Sequence, residues 1–227
     1  MMQDLIQIRS VATRNVLASL LCAAAGFLVS VAIFSWFPER FILLGIFATS
    51  ASIVASMIAW FKFREPEFSI EISRDCLRYL HRRGHWQVGW DNIQCIDVPK
   101  AQRNMQLEDL SLVGIKLKDY APFLNSTPLR LMTNILMEQR PLLLLGDQKS
   151  GASGASFSSD LIEDDKYKYP DGTVIQGIPA MLANRMDKLR QRLGYDLFIS
   201  VAELDRTEHE FVALLRECQQ HVATTST

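Results

Sequence analysis

Two long apolar stretches with almost nothing between them constrain this chain more than any other feature. Residues 16–37 (VLASLLCAAAGFLVSVAIFSWF) and 41–61 (FILLGIFATSASIVASMIAWF) contain no Asp, Glu, Lys, Arg or His. A helix of about 20 apolar residues crosses a hydrocarbon core roughly 30 Å thick, and each stretch is long enough. Only Pro38, Glu39 and Arg40 separate them, so the chain must turn straight back. The spacing predicts a transmembrane helical hairpin over 16–61. A cleaved signal peptide is the rival for the first stretch, but that stretch exceeds the roughly 7–15 apolar residues of such a signal.

The flanking charges give an orientation. Arg9 and Arg14 precede the first span and Lys62 and Arg64 follow the second, against Arg40 alone in the turn. Basic flanks remain on the cytoplasmic side. Both termini are therefore expected inside a bacterial inner membrane, with residues 1–15 a cytoplasmic segment. Trp36, Phe37 and Phe41 would mark the outer interface, and Trp60, Phe61 and Phe63 the inner one. Within the spans, Ala18, Cys22, Gly26 and Ser30 recur every fourth residue, as do Ala48, Ser52 and Ser56. Such small-residue stripes predict close helix packing. Spans free of ionisable groups offer no ion pathway or proton relay, so they read as an anchor.

The rest of the chain is soluble in character. A formal charge of -1 over 227 residues excludes a general nucleic-acid binder, which needs a basic stripe to displace counterions from phosphates. Cys22, Cys76, Cys95 and Cys218 are scattered, with no C-x-x-C pair, and read as small packed hydrophobes.

From Phe68 the pattern turns to period two. Phe68, Ile70 and Ile72 alternate with polar residues, a second strand spans about 76–82, and Trp86, Val88 and Trp90 alternate along a third. Residues 93–98 and 112–118 add two more, giving an antiparallel meander. Helices follow. Thr127-Pro128 opens one that Pro141 closes, with 142–145 a buried strand or an extension of the helical layer. Residues 179–193 carry Leu182, Met186, Leu189 and Leu193 on one face, with Gly194 as C-cap. Residues 195–200 (YDLFIS) read as a strand. Asp205 with Glu208 opens a last helix, whose apolar face is Phe211, Leu214, Leu215 and Cys218. The Gly-, Ser- and acid-rich run at 147–172 predicts a flexible surface loop. The fold class is α+β: a helical hairpin at 16–61, then an antiparallel-sheet domain with added helices over 68–221.

Two resemblances emerge from these residues. The run SIEISRDCLRYLHRRGHWQVGWDNIQCIDVP resembles the opening strands of bacterial PH-like domains. LVGIKLKDY, MEQRPLLLLG and ANRMDKLRQRLGYDLFI resemble an uncharacterised gammaproteobacterial inner-membrane family with two N-terminal membrane helices, a domain of unknown function. That likeness spans most of 68–217 and brings no catalytic residue with it.

No chemical motif survives inspection. His209-Glu210 lacks the second histidine of H-E-x-x-H, since the fourth residue on is Ala213. His81 and His85 sit at a hairpin tip with no third ligand. GASGAS lacks nucleophile-elbow spacing, and Asp160, Glu163, Asp164 and Asp165 lack the calcium-loop pattern. No catalytic residue, metal site or cofactor is named. The expected contacts are the bilayer itself, anionic lipid head groups at Arg82, Arg83 and His85, and other membrane proteins. The expected function is a membrane-tethered, non-catalytic interaction domain. The alternatives are an enzyme acting on a membrane-associated substrate, or an accessory subunit of a larger membrane complex.

Overall fold

The computed structural model describes residues 5–9, 16–36, 41–63, 68–103, 106–145 and 163–225. The turn at 38–40, the flanking Arg14 and Arg64, Asp160 and 147–162 of the expected loop lie outside them. The chain divides into two compact units, Ser10–Glu67 and the combination of Met1–Arg9 with Phe68–Thr227.

The first unit contains α1 (Val16–Trp36) and α2 (Ile42–Phe63). Both are long and apolar enough to cross a membrane, and only 11% and 17% of their apolar windows is buried. The hydroxyls of α2 are satisfied locally. Thr49, Ser50, Ser52 and Ser56 each donate to the carbonyl four residues back. This is how a helix surrounded by apolar matter carries Ser and Thr without stranding a donor.

The second unit starts with a strand that the sequence reading does not contain. In residues 1–15, expected only as a cytoplasmic segment, β1 (Leu5–Ile8) pairs antiparallel with β2 (Ile70–Ser73). β3 (Cys76–His81) and β4 (Gly84–Gly89) complete a sheet in the order β1-β2-β3-β4. The register explains the period-two pattern. Ile8, Ile70, Tyr79 and Trp86 form one cross-strand row, and Ile6, Ile72, Leu77 and Val88 the next. Directly opposed apolar side chains of this kind are the unit of sheet stability. Trp90 follows in a 3-10 turn (Trp90–Asn92), buried in the same core as Trp86, its Nε1 donating to the Ser73 carbonyl at 2.9 Å.

β5 (Ile93–Asp97), β6 (Lys100–Arg103), β7 (Gln106–Asp109) and β8 (Leu112–Leu117) come next. β6 pairs with β7 as a separate ribbon. β8 is central in a second sheet, β11-β8-β5, where β11 is Leu197–Ser200. A central strand packed on both sides accounts for the buried run Val113, Gly114 and Ile115.

Helices α3 (Ala121–Ser126), α4 (Leu129–Glu138), α5 (Leu142–Leu145) and α6 (Ile178–Leu193) provide the remaining layer. The 142–145 run is thus helical. α6 buries Leu182, Met186, Leu189 and Leu193 as its spacing predicts, and ends at Gly194 with φ +87. The last helix, α7 (Glu208–Thr225), buries Phe211, Leu215 and Cys218, with Leu214 only half-buried. Its cap is not the expected Asp205–Glu208 pair. The Thr207 amide donates to Glu210 Oε2 at 3.1 Å and the Glu210 amide to Thr207 Oγ1 at 3.4 Å, a capping box shifted two residues along. Asp205 is engaged by Arg206 instead.

The stretch expected as a surface loop is partly structured. β9 (Lys166–Lys168) and β10 (Val174–Gln176) form a hairpin, and Tyr167 and Tyr169 pack against the main core.

Candidate functional site

The two sheets and α4 enclose a cavity of about 310 Å³. That volume lies at the lower end of the roughly 300–1,000 Å³ of small-molecule sites. Its apolar lining includes Trp86, Ile135, Leu142 and Phe198. Its polar groups come from segments far apart in the chain: Tyr79 on β3, Glu138 and Gln139 at the end of α4, Ser200 closing β11, and Glu203 in the 3-10 turn Val201–Glu203. Tyr79 is fixed by its cross-strand partner, with the rings of Tyr79 and Trp86 stacked at 5.4 Å. Trp86 in turn meets Phe123 edge-on. Asn134 Nδ2 donates to Glu138 Oε1 at 2.6 Å and so aims that carboxylate. Gln139 is 5% exposed, and its side-chain oxygen has no hydrogen-bond partner.

Burial, then the charges of Glu203 and Glu138, push the Tyr79 phenol far above its ordinary value. A phenol in that state holds its proton at neutral pH, so it donates hydrogen bonds but does not act as a base or nucleophile. The residues that the cavity brings together suit binding.

Two buried networks lie elsewhere in the second unit. Asp196, fully buried, accepts from the Leu117 amide at 2.7 Å, from Tyr120 Oη at 3.0 Å and from Arg190 Nε at 2.7 Å. Tyr120 also lies 2.9 Å from Asp187 Oδ1, and the Arg190 guanidinium stacks over its ring. In the second network, Arg185 Nε meets the buried Glu163 at 2.5 Å and donates from a second nitrogen to the Leu136 carbonyl. Lys188 Nζ sits 3.0 Å from the other Glu163 oxygen, an electrostatic contact without hydrogen-bonding geometry. Glu163 is therefore a core residue, not part of a solvated acidic run. Among the described residues no three His, Cys, Asp or Glu side chains gather as metal ligands.

The other residues singled out from the sequence fall as follows. Arg82 and Arg83 form the exposed two-residue turn between β3 and β4, with His85 exposed beside them. Gly84, at φ +141, lies against Pro128, where a Cβ would come within 3.1 Å of the proline ring. His81 Nδ1 accepts from the Arg83 amide, and His209 pairs with Asp109 at 3.2 Å.

On the helical hairpin, Gly26, Ser30 and Ser52 meet across the α1–α2 seam. A Cβ on Gly26 would stand 2.3 Å from Ser52 Oγ, and Ser30 Oγ lies 2.5 Å from Thr49 Oγ1. Ala48 and Ser56 are half-buried, whereas Ala18 and Cys22 are exposed. Ala23 takes the inward position instead. A strict spacing of four drifts about 40° per step around a helix of 3.6 residues per turn, so a straight seam alternates threes and fours.

A family model described as protein of unknown function DUF2982 matches residues 70–221. The chain belongs to the DUF2982 family. Comparisons with curated proteins and with solved structures find no match. The DUF2982 match opens at Ile70, the first residue of β2, and closes within α7. It therefore takes in every residue that lines the cavity and both buried networks, but neither β1 nor the apolar helices.

Proposed function

We propose that this DUF2982 protein is a membrane-tethered, non-catalytic binding domain held at the cytoplasmic face of a bacterial inner membrane, with α1 and α2 as the anchor. One observation carries the reading. The chain leaves the second unit after β1 and re-enters it at β2, and these points are bonded together: the Ser69 amide donates to the Ile8 carbonyl at 2.9 Å. A segment inserted between two paired antiparallel strands must begin and end at one place, which an even number of spans satisfies.

The same end of the sheet carries the basic groups. The Leu80 amide donates to the Ser69 carbonyl at 2.8 Å, so the Arg82-Arg83 turn projects just past the level of Ser69. Arg9 lies there too, its guanidinium 5.3 Å from the Phe68 ring centroid. Each Lys or Arg near an anionic leaflet contributes about 1 kcal/mol, enough for Arg82 and Arg83, with His85 beside them, to orient the domain without anchoring it. Other membrane proteins are the second class of partner.

The test uses the full chain, because a fragment starting near residue 66 would lack β1. In nanodiscs containing anionic lipid, amide hydrogen exchange at 81–85 slows relative to discs of neutral lipid, and Arg82→Ala with Arg83→Ala abolishes the difference. Equal exchange in the two lipids would remove the head-group contact. A reporter fused after Thr227 that is active only in the periplasm would reverse the orientation.

A further inference from the structure

We infer that the second unit docks on an anionic membrane surface through a two-part tip: Arg82, Arg83 and Arg130 meet the lipid phosphates, and Leu129 enters the interface beside them. This rests on the tethered reading above. It adds the apolar half of the contact, carried by a helix that the sequence reading does not connect with lipid. The tip is assembled where the β3–β4 turn meets the start of α4. Phe123 on α3 is fully buried and meets Trp86 of β4 edge-on, and the Thr127 hydroxyl donates to the Phe123 carbonyl at 2.7 Å. That fixes the elbow between α3 and α4 and sets Pro128 against Gly84, the residue after Arg83. From there α4 buries Leu131, Met132 and Ile135. At roughly 100° per residue, Leu129 stands about 110° from the centre of that stripe, where an amphipathic helix carries polar residues. Leu129 is 56% exposed, with Pro128 and Arg130 exposed on either side.

A lone exposed leucine is ordinary. The setting distinguishes this one. Among the described residues, the large exposed hydrophobics of the second unit are Leu129, Met137 and Val174. Met137 adjoins Glu138, and Val174 lies three residues from Asp171, whereas Leu129 borders the basic turn. Arg82, Arg83 and Arg130 are all exposed, and no carboxylate among the described residues pairs with any of them. Unpaired guanidiniums gain from a surface dense in phosphate, and a leucine at their level gains from the hydrocarbon just beneath it. A soluble anion would answer the arginines and leave Leu129 in water. The end of the sheet that bears the tip is also where the chain departs for the apolar helices, since Ser69 bonds to both Ile8 and Leu80.

Depth-dependent fluorescence of the full chain in nanodiscs tests the assignment. Cys22→Ser, Cys76→Ser and Cys95→Ser leave only Cys218, which is buried, and an NBD label is then attached at Leu129→Cys. Labels at Ser50→Cys, exposed on α2, and at Val174→Cys serve as references. In discs of anionic phosphatidylglycerol the Leu129 label should shift to shorter wavelength and lose half or more of its emission to doxyl-labelled lipid. In phosphatidylcholine discs the loss should be severalfold smaller, and so it should be in anionic discs after Arg82→Ala, Arg83→Ala and Arg130→Ala. The Val174 label should stay in water in both. Independently, the unlabelled Leu129→Gln variant should bring amide exchange at 81–85 in anionic discs at least halfway back to the neutral-lipid rate, with its thermal transition unchanged.

A Leu129 label that stays in water in anionic discs, while the Ser50 label is quenched, overturns the proposal and leaves the tether standing. An unquenched Ser50 label overturns the tether and the proposal with it. A blue shift at Leu129 without quenching means that protein covers it, and overturns the assignment to lipid. Equal quenching in the two lipids overturns the part given to the arginines. Unchanged exchange at 81–85 in a folded Leu129→Gln variant overturns the part given to Leu129.

Discussion

Arg190 grips Asp196 with two nitrogens, Nε to Oδ1 at 2.7 Å and a terminal nitrogen to Oδ2 at 2.5 Å, although Asp196 is fully buried. The same guanidinium donates to the Leu117 carbonyl while Asp196 accepts from the Leu117 amide. The pair therefore clips α6 to the end of β8. Breaking one partner of a buried pair costs about 3–5 kcal/mol, and here less, because Arg190 keeps 30% of its side chain exposed. Asp196→Asn should lower unfolding free energy by roughly 2–3 kcal/mol in denaturant titrations of the full chain. With Arg190→Leu added, the combined loss should be smaller than the sum of the single losses.

All five tyrosines of the chain resist ionisation, each pushed up first by burial. Tyr167 is displaced to about 12 by burial, then by the charge and hydrogen bond of Asp187. A phenol whose folded value lies above its unfolded value of about 10 contributes stability that is complete below pH 10. That contribution is lost as pH rises through the folded value. Stability should therefore hold up to about pH 10 and fall from there towards pH 12. Absorbance at 295 nm is the check: native protein should show little phenolate at pH 10, and unfolded protein about half of its total.

The α1–α2 seam should fail on a single substitution. Gly26→Leu places a side chain where Ser52 Oγ already stands. In a Cys22→Ser background, Ser30→Cys and Thr49→Cys should form a disulfide readily, since the native hydroxyls are 2.5 Å apart. Adding Gly26→Leu should suppress that cross-link, read as loss of the faster-migrating species on non-reducing gels.

Gly194→Ala tests the end of α6. At φ +87 any side chain strains the backbone, and the expected cost is about 1 kcal/mol. Chemical denaturation should show the midpoint falling with its slope unchanged.

Much of the second unit is legible in its sequence because β2 and β4 are amphipathic, and period two survives in Ile70-Glu71-Ile72 and Trp86-Gln87-Val88, whereas the short β6 and β7 are absent from the sequence reading. β1 is not, because LIQI is only four residues long and its partner lies beyond both apolar helices. The β9–β10 hairpin carried a readable signal. Pro170-Asp171-Gly172 is a turn sequence, flanked by alternation in KYKY and TVIQ, but the Gly- and Ser-rich run before it blurs the boundary. Asp196 also left a trace, as the lone charge inside YDLFIS. The cavity left none. Tyr79, Glu138, Gln139 and Glu203 look like ordinary residues of separate elements, and only tertiary packing of the two sheets brings them together.

The pairing of β1 with β2 also bears on how such a chain is made. Gln7 and Glu71 face each other across 64 residues, and everything between them must leave the ribosome before the edge of the sheet can close. At roughly 5–20 residues per second, β1 waits about 3–13 seconds for its partner. During that time its unpaired backbone is an open template for other strands. If the apolar helices insert into a membrane, an N-terminus carried to its far side in that interval could not return to meet Ile70. If both apolar helices cross a membrane, closure of β1 on β2 would report that the two have crossed together, since a chain with one helix inserted leaves β2 without its neighbour and Ile70 and Ile72 uncovered.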